Sequence, residues 1–470
     1  MQLLNPKKLI YMEQKQQNNQ NITSEKVREQ VSESFSQSAL DEALTGLSRL
    51  GGFNFLESAI DGIQNLNPER KARKKMFLVE EQKEAERKEL AEKIDLWIDL
   101  LTQSDSIAEM VDKSQSQADA TSELLAKNQL TVVESVRDLE KSYRSVQAFY
   151  KNTELDKLTN VTIVNASVEQ LSDLDNSQFI DFISDEINQN YDRLDLRENY
   201  SILVLPGFLG SNKVVEKWAK IAHNNKVMLF TDFADLDKPD DVVDLFFSSN
   251  LASGDVFKSN VVMSCNWLIG RAAYREIGET EDLHVSPASA LAGKVYSTSI
   301  AQVAAGKKHG GINEVDAVTF PLKKSEISQL EAMGLVPMVN EYGKVMAFSG
   351  KTLFNGDDLG LQTYSVVRVF DSVSKTSIDF LNRRAFENWN SRTSQDLRTQ
   401  LVKYLDSIKG PGRLIQDYKI TRFEQDPNQK DRVYLDIHLS PFFHTKSFII
   451  KFDGTKGDDG NNWNVEYQQD

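Results

Sequence analysis

The chain has 470 residues and a formal charge of −15, with 55 basic and 70 acidic side chains. This balance argues against a dedicated nucleic-acid binder, because such proteins gain affinity by neutralising phosphates. One cysteine, Cys265, excludes an internal disulfide, and no apolar run approaches the roughly 20 residues of a membrane helix. The N-terminus lacks the pattern of a secretory signal, so we expect a cytoplasmic protein that starts at Met1 or Met12.

The first third of the chain is predicted to be polar and then helical. Residues 1–40 are rich in Gln, Asn, Ser and Glu, and we expect them to be disordered on their own. Residues 41–158 show helical spacing, with two apolar stripes that are typical of a seam against another helix. An internal helical hairpin and a helix of a partner protein remain equal alternatives for that seam. The seam residues are Leu90, Ile94, Trp97, Leu101, Val136, Leu139, Tyr143 and Val146.

Residues 159–345 are predicted to form an α/β core with a mostly parallel sheet, because short apolar runs alternate with helical stretches. Ligands often bind at the carboxyl ends of such strands, where the loops are residues 206–211 and 231–233. Neither loop matches a phosphate-binding fingerprint. The strand candidates are residues 161–164, 202–205, 227–230 and 261–263.

Residues 346–456 are predicted to form an α+β unit, with a strand at 364–369, helices around 378–389 and 393–407, and a strand at 418–421. Two runs of strict alternation then predict neighbouring strands. The first run contains Val433, Leu435 and Ile437, and the second contains Phe448, Ile450 and Phe452.

A third alternating run follows a polar, glycine-bearing linker within residues 457–470. A strand on such a linker can fold back as a hairpin or pair with the open sheet edge of another chain. Its residues are Trp463, Asn464, Val465, Glu466 and Tyr467.

No motif of catalysis or metal binding is complete. Gly350-Lys351-Thr352 looks like the end of a phosphate-binding loop, but Val345 occupies the position of the required first glycine. The five histidines form no pair at metal-ligand spacing, and a lone cysteine is usually a small apolar residue of the core. We therefore expect no catalytic residue, no metal and no cofactor.

Several segments, taken in their order along the chain, resemble contractile tail sheath proteins. Residues 285–293 are similar to a proline-led segment that ends in a small-residue turn with glycine. Residues 343–353 are similar to a block of glycine, strand and G-x-T-L, which accounts for the Gly-Lys-Thr sequence. Residues 364–389 and 447–452 resemble the C-terminal sheath domain. The long helical N-terminal part and residues 260–264 resemble the large subunit of the type VI secretion sheath, TssC/VipB, in a divergent subtype.

The resemblance implies a structural protein that is not an enzyme. Its fold would be a helical N-terminal region, an α/β sheath core and an α+β C-terminal domain with an extended β-arm. The arm, in residues 457–470, would join the sheet of a neighbouring subunit, with the strands around residues 433–439 and 448–452 receiving a neighbour's arm. Contraction of the resulting helical tube would drive an inner tube and its toxins through a target envelope.

The resemblance also implies partners and a location. The partners would be a small sheath subunit similar to TssB/VipA, other copies of the chain, an inner tube protein, a baseplate and a disassembly ATPase. The location would be the bacterial cytoplasm, in a machine anchored to the envelope. Three alternatives stay open: the sheath of a phage-like or extracellular contractile particle, an enzyme with a ligand site in the α/β core, and a helical adaptor that docks a partner through residues 41–158.

Overall fold

A computed structural model describes residues 81–103, 105–196, 199–446, 449–455 and 462–468. The chain divides into two compact units, Met1–Gln129 and Leu130–Asp470. In the part of the chain that is described, no helix is both long and apolar enough to cross a membrane. The disordered segment predicted at residues 1–40 and the helices predicted before residue 81 lie outside the described residues.

The described part of the first unit is helical, as predicted. Helix α1 spans Glu84–Gln103, and helix α2 spans Ile107–Asn152, so that its last residues belong to the second unit. Charged pairs one turn apart support both helices. Lys93 Nζ lies 2.6 Å from Glu89 in α1, and Lys113 Nζ lies 2.8 Å from Glu109 in α2.

The second unit follows α2 with alternating helices and strands. In chain order these are α3 (Val168–Ser172), α4 (Gln178–Tyr191), β1 (Ile202–Leu205), α5 (Asn212–Asn224), β2 (Met228–Asp232), α6 (Pro239–Ser248), β3 (Val261–Cys265), β4 (Leu268–Arg271), β5 (Leu283–Val285), α7 (Pro287–Ser297), α8 (Gly306–His309), β6 (Ala317–Val318), α9 (Lys324–Ala332), β7 (Leu335–Glu341), β8 (Lys344–Ala347), α10 (Tyr364–Asn382), α11 (Ser391–Ile408), β9 (Ile415–Gln425), β10 (Val433–Pro441), β11 (Ile449–Thr455) and β12 (Asn462–Gln468).

A five-stranded sheet in the order β1-β2-β3-β7-β8 forms the centre of this unit. The first four strands run parallel, and β8 returns antiparallel to β7 through a tight turn. The predicted α/β core with a mostly parallel sheet is therefore confirmed. Three strand candidates, at residues 202–205, 227–230 and 261–263, coincide with β1, β2 and β3.

The sheet separates two apolar layers, because successive residues of a strand face opposite sides. On one side, Leu229 and Met263 pack in a layer that includes helices α5 and α6. On the other side, Phe230 and Val262 pack with α7 and with the segment around Val303. Residues of both layers are almost completely buried, which is typical of a parallel sheet with two covered faces.

Three smaller sheets complete the second unit. Strands β5, β4 and β6 form a three-stranded antiparallel sheet in that order. Strands β9 and β10 form an antiparallel pair that packs against α10 and α11 through Val373, Leu405 and Ile415. Strands β11 and β12 form a second antiparallel pair.

Four local predictions are wrong. Residues 364–369 form the first turns of α10 and not a strand, because an apolar run of this length also fits a buried helix. Residues 161–164 form no strand, and Ile163 is exposed. Residues 287–293 belong to the buried helix α7 and not to a turn. The runs at 433–439 and 449–452 are not neighbours in one sheet, since β10 pairs with β9 and β11 pairs with β12.

Candidate assembly surfaces

The C-terminal part of α2 is fixed to α7 by a close approach of the two backbones. A Cβ atom added at Gly293 would lie 2.4 Å from the carbonyl oxygen of Phe149, so only glycine allows this distance. One turn earlier, the hydroxyls of Ser145 and Ser289 are hydrogen-bonded at 2.7 Å. This contact holds one face of α2 against the small residues of α7.

A buried ionic network strengthens the same attachment. The guanidinium of Arg271, at the end of β4, lies 3.0 Å from Glu140 of α2 and 2.7 Å from Glu279. Arg137 pairs with Glu279 as well. The hydrogen bond from Arg271 holds the pKa of Glu279 below its usual range. Burial opposes ionisation of Glu140, but hydrogen bonds from Arg271 and Arg144 still lower the pKa of that carboxyl.

Sequence reasoning did not find this network. Arg271 and Glu140 are 131 residues apart, and no spacing rule connects such positions. The only sequence signal is that a charged residue ends an apolar strand, and that pattern is common.

The predicted seam of α2 lies on the face opposite to this attachment. Buried Ser145, Ala148 and Asn152 recur at spacings of three and four and mark the attached face. The seam residues recur at the same spacing on the other side, where Leu139 is 71% exposed and Tyr143 is 64% exposed. Val136 and Val146 are exposed as well. The helix thus presents a stripe of large apolar side chains that no described residue of the second unit covers.

The predicted seam of α1 is exposed in the same way. Trp97 is 44% exposed, and Leu90 and Ile94 are similar. Leu101 lies in the last turn of α1, and its side chain is not among those described. Whether these two stripes pack on each other or on a partner stays a prediction.

Within the chain, the predicted arm pairs with the strand that precedes it. Strand β12 is antiparallel to β11, with Tyr467 opposite Ile450, Val465 opposite Phe452 and Trp463 opposite Gly454. Asn464 and Glu466 alternate with them and lie on the other face of the strand. This pairing is the hairpin alternative, and pairing with a neighbouring subunit stays a prediction.

The predicted receiving strands lie in two separate sheets. Val433, Leu435 and Ile437 lie on β10, with Leu435 opposite Phe423 of β9. Neither β9 nor β10 pairs with a third named strand in the described part of the chain. Ile450 and Phe452 lie on β11, whereas Phe448 lies outside the described residues. Two short ribbons therefore end the chain, each with strand edges to which a further strand can pair.

The carboxyl end of the parallel sheet, where an enzyme would bind its ligand, is closed by a buried acid. Asp232, the last residue of β2, accepts hydrogen bonds from four donors. They are the backbone N–H groups of Gly207 at 2.9 Å and Ala288 at 2.8 Å, the hydroxyl of Ser264 at 2.6 Å, and the hydroxyl of Ser286. Burial raises the pKa of Asp232 to about 6, although all four hydrogen bonds favour the charged form.

These bonds join the end of β2 to both candidate ligand loops and to the start of α7. Gly207 lies in the loop at residues 206–211, and Ala288 lies in the first turn of α7. Cys265, at the end of β3, is fully buried, and burial raises the pKa of its thiol. A thiol with a raised pKa is a poor nucleophile. The arrangement supports packing of α7 at this edge of the sheet.

The Gly-Lys-Thr segment also packs against other residues of the chain. Lys351 forms an antiparallel bridge with Thr363, and Thr352 N donates to the carbonyl of Gln362 at 2.9 Å. Tyr364 N donates to the carbonyl of Gly350 at 3.0 Å. These bonds hold the segment against the start of α10, and two of its backbone N–H groups donate within the chain, Lys351 N to the Ser349 hydroxyl and Thr352 N to the Gln362 carbonyl.

The histidines are dispersed. His223 contacts Asn260 at 2.8 Å, and His284 contacts Asp235 at 2.8 Å. Among the residues that the structure describes, no group of His, Cys, Asp and Glu side chains could hold a metal ion.

Three family models match consecutive parts of the chain. The model described as TssC/VipB-like, N-terminal region, matches residues 40–129. The model described as type VI secretion system TssC/VipB, central domain, matches residues 131–355. The model described as TssC/VipB-like, C-terminal domain, matches residues 363–469. No curated protein matches the chain.

Three solved structures whose titles name a sheath or a sheath tail protein are similar to this chain at low identity. The sheath of an extracellular contractile injection system, the PVC complex in its contracted state, is 13% identical, with a TM-score of 0.48 over 68% of this chain and 81% of that one. The contracted sheath of the anti-feeding prophage is 13% identical, with a TM-score of 0.46 over 66% and 81%. A sheath tail protein of Desulfitobacterium hafniense is 11% identical, with a TM-score of 0.41 over 63% and 60%.

Proposed function

This chain belongs to the TssC/VipB family of the type VI secretion system, and from that premise we propose how it builds a contractile sheath. It is a structural sheath subunit of a contractile injection system. We propose that it polymerises with a small sheath subunit into a helical tube around an inner tube, and that contraction of this tube drives effector delivery. The observation that carries the proposal is the consecutive match of all three family regions over residues 40–469.

The exposed seam of α2 supports a helix-mediated contact with the small subunit. Large apolar side chains at helical spacing form a docking stripe for an amphipathic helix. The opposite face of α2 is held by the Arg271 network and by the contact at Gly293, so the stripe has a defined orientation on the second unit. We assign Val136, Leu139, Tyr143 and Val146 to this contact, and we assign Leu90, Ile94, Trp97 and Leu101 of α1 to a second helical contact of the same kind.

The C-terminal ribbons support a contact based on strand addition. In the proposed sheath, β12 leaves β11 and pairs with a strand edge of a neighbouring copy. Exchange of one antiparallel partner for another conserves the number of backbone hydrogen bonds, so it requires little change in enthalpy. Adjacent copies then remain joined while their main bodies rotate during contraction.

The remaining partners follow from the family and not from a contact in the chain. They are an inner tube protein, a baseplate and a disassembly ATPase, in a machine of the bacterial cytoplasm that is anchored to the envelope. We also propose that the chain catalyses no reaction. The four hydrogen bonds that Asp232 accepts and the packing of the Gly-Lys-Thr segment support this proposal. In both candidate ligand regions, these groups form hydrogen bonds within the chain.

Coexpression tests the proposed function. The chain and a small sheath subunit of the TssB/VipA type from the same organism are produced together and imaged by electron microscopy. We expect tubes with a helical repeat. Monomers or closed rings in the presence of that partner would overturn the proposal, whereas tubes from this chain alone would indicate a sheath made of a single polypeptide.

A further inference from the structure

A cluster of lysines lies beside the outer strand β8 of the central sheet. Lys307 and Lys308 of α8 are exposed, as is Lys344 at the start of β8. Residues 310–312 run along β8, since Ile312 N donates to Val345 O at 2.8 Å and Ala347 N donates to Gly310 O at 3.1 Å. This pairing places α8 next to β8, and the ammonium of Lys307 lies 5.3 Å from the ring centre of Tyr342 in the β7–β8 turn. We call Lys294, Lys307, Lys308 and Lys344 the lysine patch.

His309 lies near two members of the lysine patch, Lys294 and Lys308. Partial burial lowers the pKa of His309, and the positive charges of Lys308 and Lys294 lower it further. Lys294 belongs to α7 and Lys308 to α8, so two elements converge on this surface.

The lysine patch has no acidic partner among the described residues. No ion pair found there involves Lys294, Lys307, Lys308 or Lys344. Glu341 stands opposite Lys344 across the β7–β8 turn, but no ion pair joins the two. The chain as a whole carries a charge of −15, so other copies of it offer acidic surface to this positive patch. A positive surface attracts an acidic one.

The acidic surface that fits is on α6 of the same sequence. Asp240, Asp241 and Asp244 of α6 are exposed, and their spacings to Asp244 of four and three place them on one side of the helix, while exposed Asp237 lies in the segment just before it. None of them takes part in an ion pair within the described residues. We call these four residues the acidic face.

The lysine patch and the acidic face belong to opposite sides of the central sheet. Val242 and Phe246 of α6 pack in the layer on one side, whereas Val303, Ile312 and Val345 around the lysine patch pack in the layer on the other. The two surfaces are therefore complementary in charge but separated within one copy. A contact between different surfaces of identical copies is heterologous, and a heterologous contact that does not close builds an open helical assembly.

We propose that the lysine patch of one copy docks on the acidic face of α6 in a neighbouring copy. The proposal rests on the proposed function, because it assigns a second copy as the occupant of the patch. It adds a charge-based contact that is independent of the C-terminal strands and of the α2 seam. Opposite charges across such an interface define which neighbour fits, and like charges at the same distance oppose docking.

Charge reversal tests the docking. One variant carries Lys307→Glu and Lys308→Glu, and a second carries Asp237→Lys and Asp244→Lys. Asp240 and Asp241 stay unchanged, because acids stabilise the first turn of α6. Each variant is coexpressed with the small subunit, and sheath yield is measured by sedimentation and electron microscopy. We expect each reversal alone to lower the yield by at least about tenfold, and the chain with all four changes to regain most of it.

The matched control is Lys323→Glu with Lys324→Glu, an exposed lysine pair outside the patch. It should assemble like the unchanged chain. Recovery in the fourfold variant cannot come from misfolded protein, so it separates docking from stability. Normal assembly of either reversed variant, or two defects without recovery in the fourfold variant, would overturn the proposal, and the latter result would indicate a different acidic occupant such as the inner tube. Tubes of the unchanged chain would leave the proposed function intact in both cases.

Discussion

Asp232 occupies the position at which an α/β sheet usually presents groups to a ligand. The sequence predicted a strand at residues 227–230 followed by a loop at 231–233 that could bind a ligand, whereas β2 continues to Asp232. It could not show that four donors from distant segments converge on the carboxylate, because Ser286 and Ala288 lie more than fifty residues further on. Asp232 therefore links the end of β2 to the loop at Gly207 and to the start of α7 through hydrogen bonds.

Asp232 should give the fold a distinctive pH dependence. Its pKa is raised from the usual value to about 6 in the folded chain, so the folded state binds the proton more tightly than the unfolded state. The stability contributed by this proton is full below about pH 4 and is lost as pH rises through 6. We expect the free energy of unfolding of the unchanged chain, relative to Asp232→Asn, to fall by about 2 kcal/mol between pH 4 and pH 7. Denaturant titrations at several pH values measure this difference.

Asp417→Asn is the control for that experiment. Asp417 is exposed, and its hydrogen bond with Lys409 lowers the pKa of its carboxyl. Its contribution to stability is therefore present at neutral pH and lost on acidification, which is the opposite sign. A difference between the unchanged chain and Asp232→Asn that does not vary with pH would contradict the assignment.

Gly293 illustrates, at the scale of elements, how α2 is joined to α7. Alanine normally stabilises the interior of a helix relative to glycine. Here its methyl group would collide with the carbonyl oxygen of Phe149. We expect Gly293→Ala to destabilise the second unit by about 1–3 kcal/mol, as overpacking in a core does, and to loosen α2. Thermal unfolding and limited proteolysis of α2 measure the two effects.

Gly254→Ala is the matched control, because the nearest atom would be 3.7 Å away, an ordinary contact distance. It should unfold like the unchanged chain. If Gly293→Ala were as stable as this control, the close approach of α2 and α7 would not exist in solution.

The seam of α2 predicts a separable effect on partner binding. Leu139→Asp with Tyr143→Asp places two charges on the exposed face, away from the Arg271 network. We expect the thermal midpoint of the isolated chain to stay unchanged, because neither side chain is buried. Copurification with the small subunit should fall at least about tenfold, because two charges would be buried in an apolar contact.

Asp138→Lys changes a charge on the same helix at an exposed position that is not three or four residues from any seam residue, and it should preserve copurification. Equal binding by the seam variant and this control would contradict a helix seam with a partner and favour an internal role for the stripe.

Strong local periodicity predicted most elements, and ambiguous apolar runs produced the errors. The runs at β1, β2 and β3 are short, apolar and bounded by turn residues, so the sequence predicts them as strands. Tyr364 and the valines that follow fit both a strand and a buried helix face, and the core contact of Val369 and Val373 decides for the helix. Strand β10 pairs with β9, and β11 pairs with β12, because the chain reverses direction between the two strands of each pair. Alternation of apolar and polar residues predicts the strands but not which strands pair.

For the whole molecule, the C-terminal strand predicts a chain that folds without it but does not polymerise. Deletion of residues 461–470 removes β12 and leaves both layers of the central core untouched. We expect an unchanged thermal midpoint for the central core and no tubes when this chain is coexpressed with the small subunit. Trp463→Ala with Val465→Ala should give a milder loss of tubes, because these residues share one face of the strand.

The paired change Asn464→Ala with Glu466→Ala on the other face serves as its control and should assemble better. Tubes of normal length from the deleted chain would show that assembly does not use the β12 strand.

The order of segments, more than any single motif, made the family recognisable from the sequence. The Gly-Lys-Thr sequence alone suggested a phosphate site, and only its place in the block at residues 343–353 pointed elsewhere. The sequence predicted the proposed assembly surfaces less well than it predicted the family. The lysine patch and the Arg271 network each combine residues from separate elements that meet only in the folded chain.

The burial of Cys265 makes the native chain a clean background for site-specific labelling. It is the single cysteine of the sequence, it is inaccessible to solvent, and its thiol resists ionisation. Maleimide dyes react with exposed thiolates, so a cysteine introduced at an exposed position would be the one site that takes up a dye. Pairs of such dyes on neighbouring copies would report the change in their separation as a tube shortens, while reaction at Cys265 itself would signal that the core has opened.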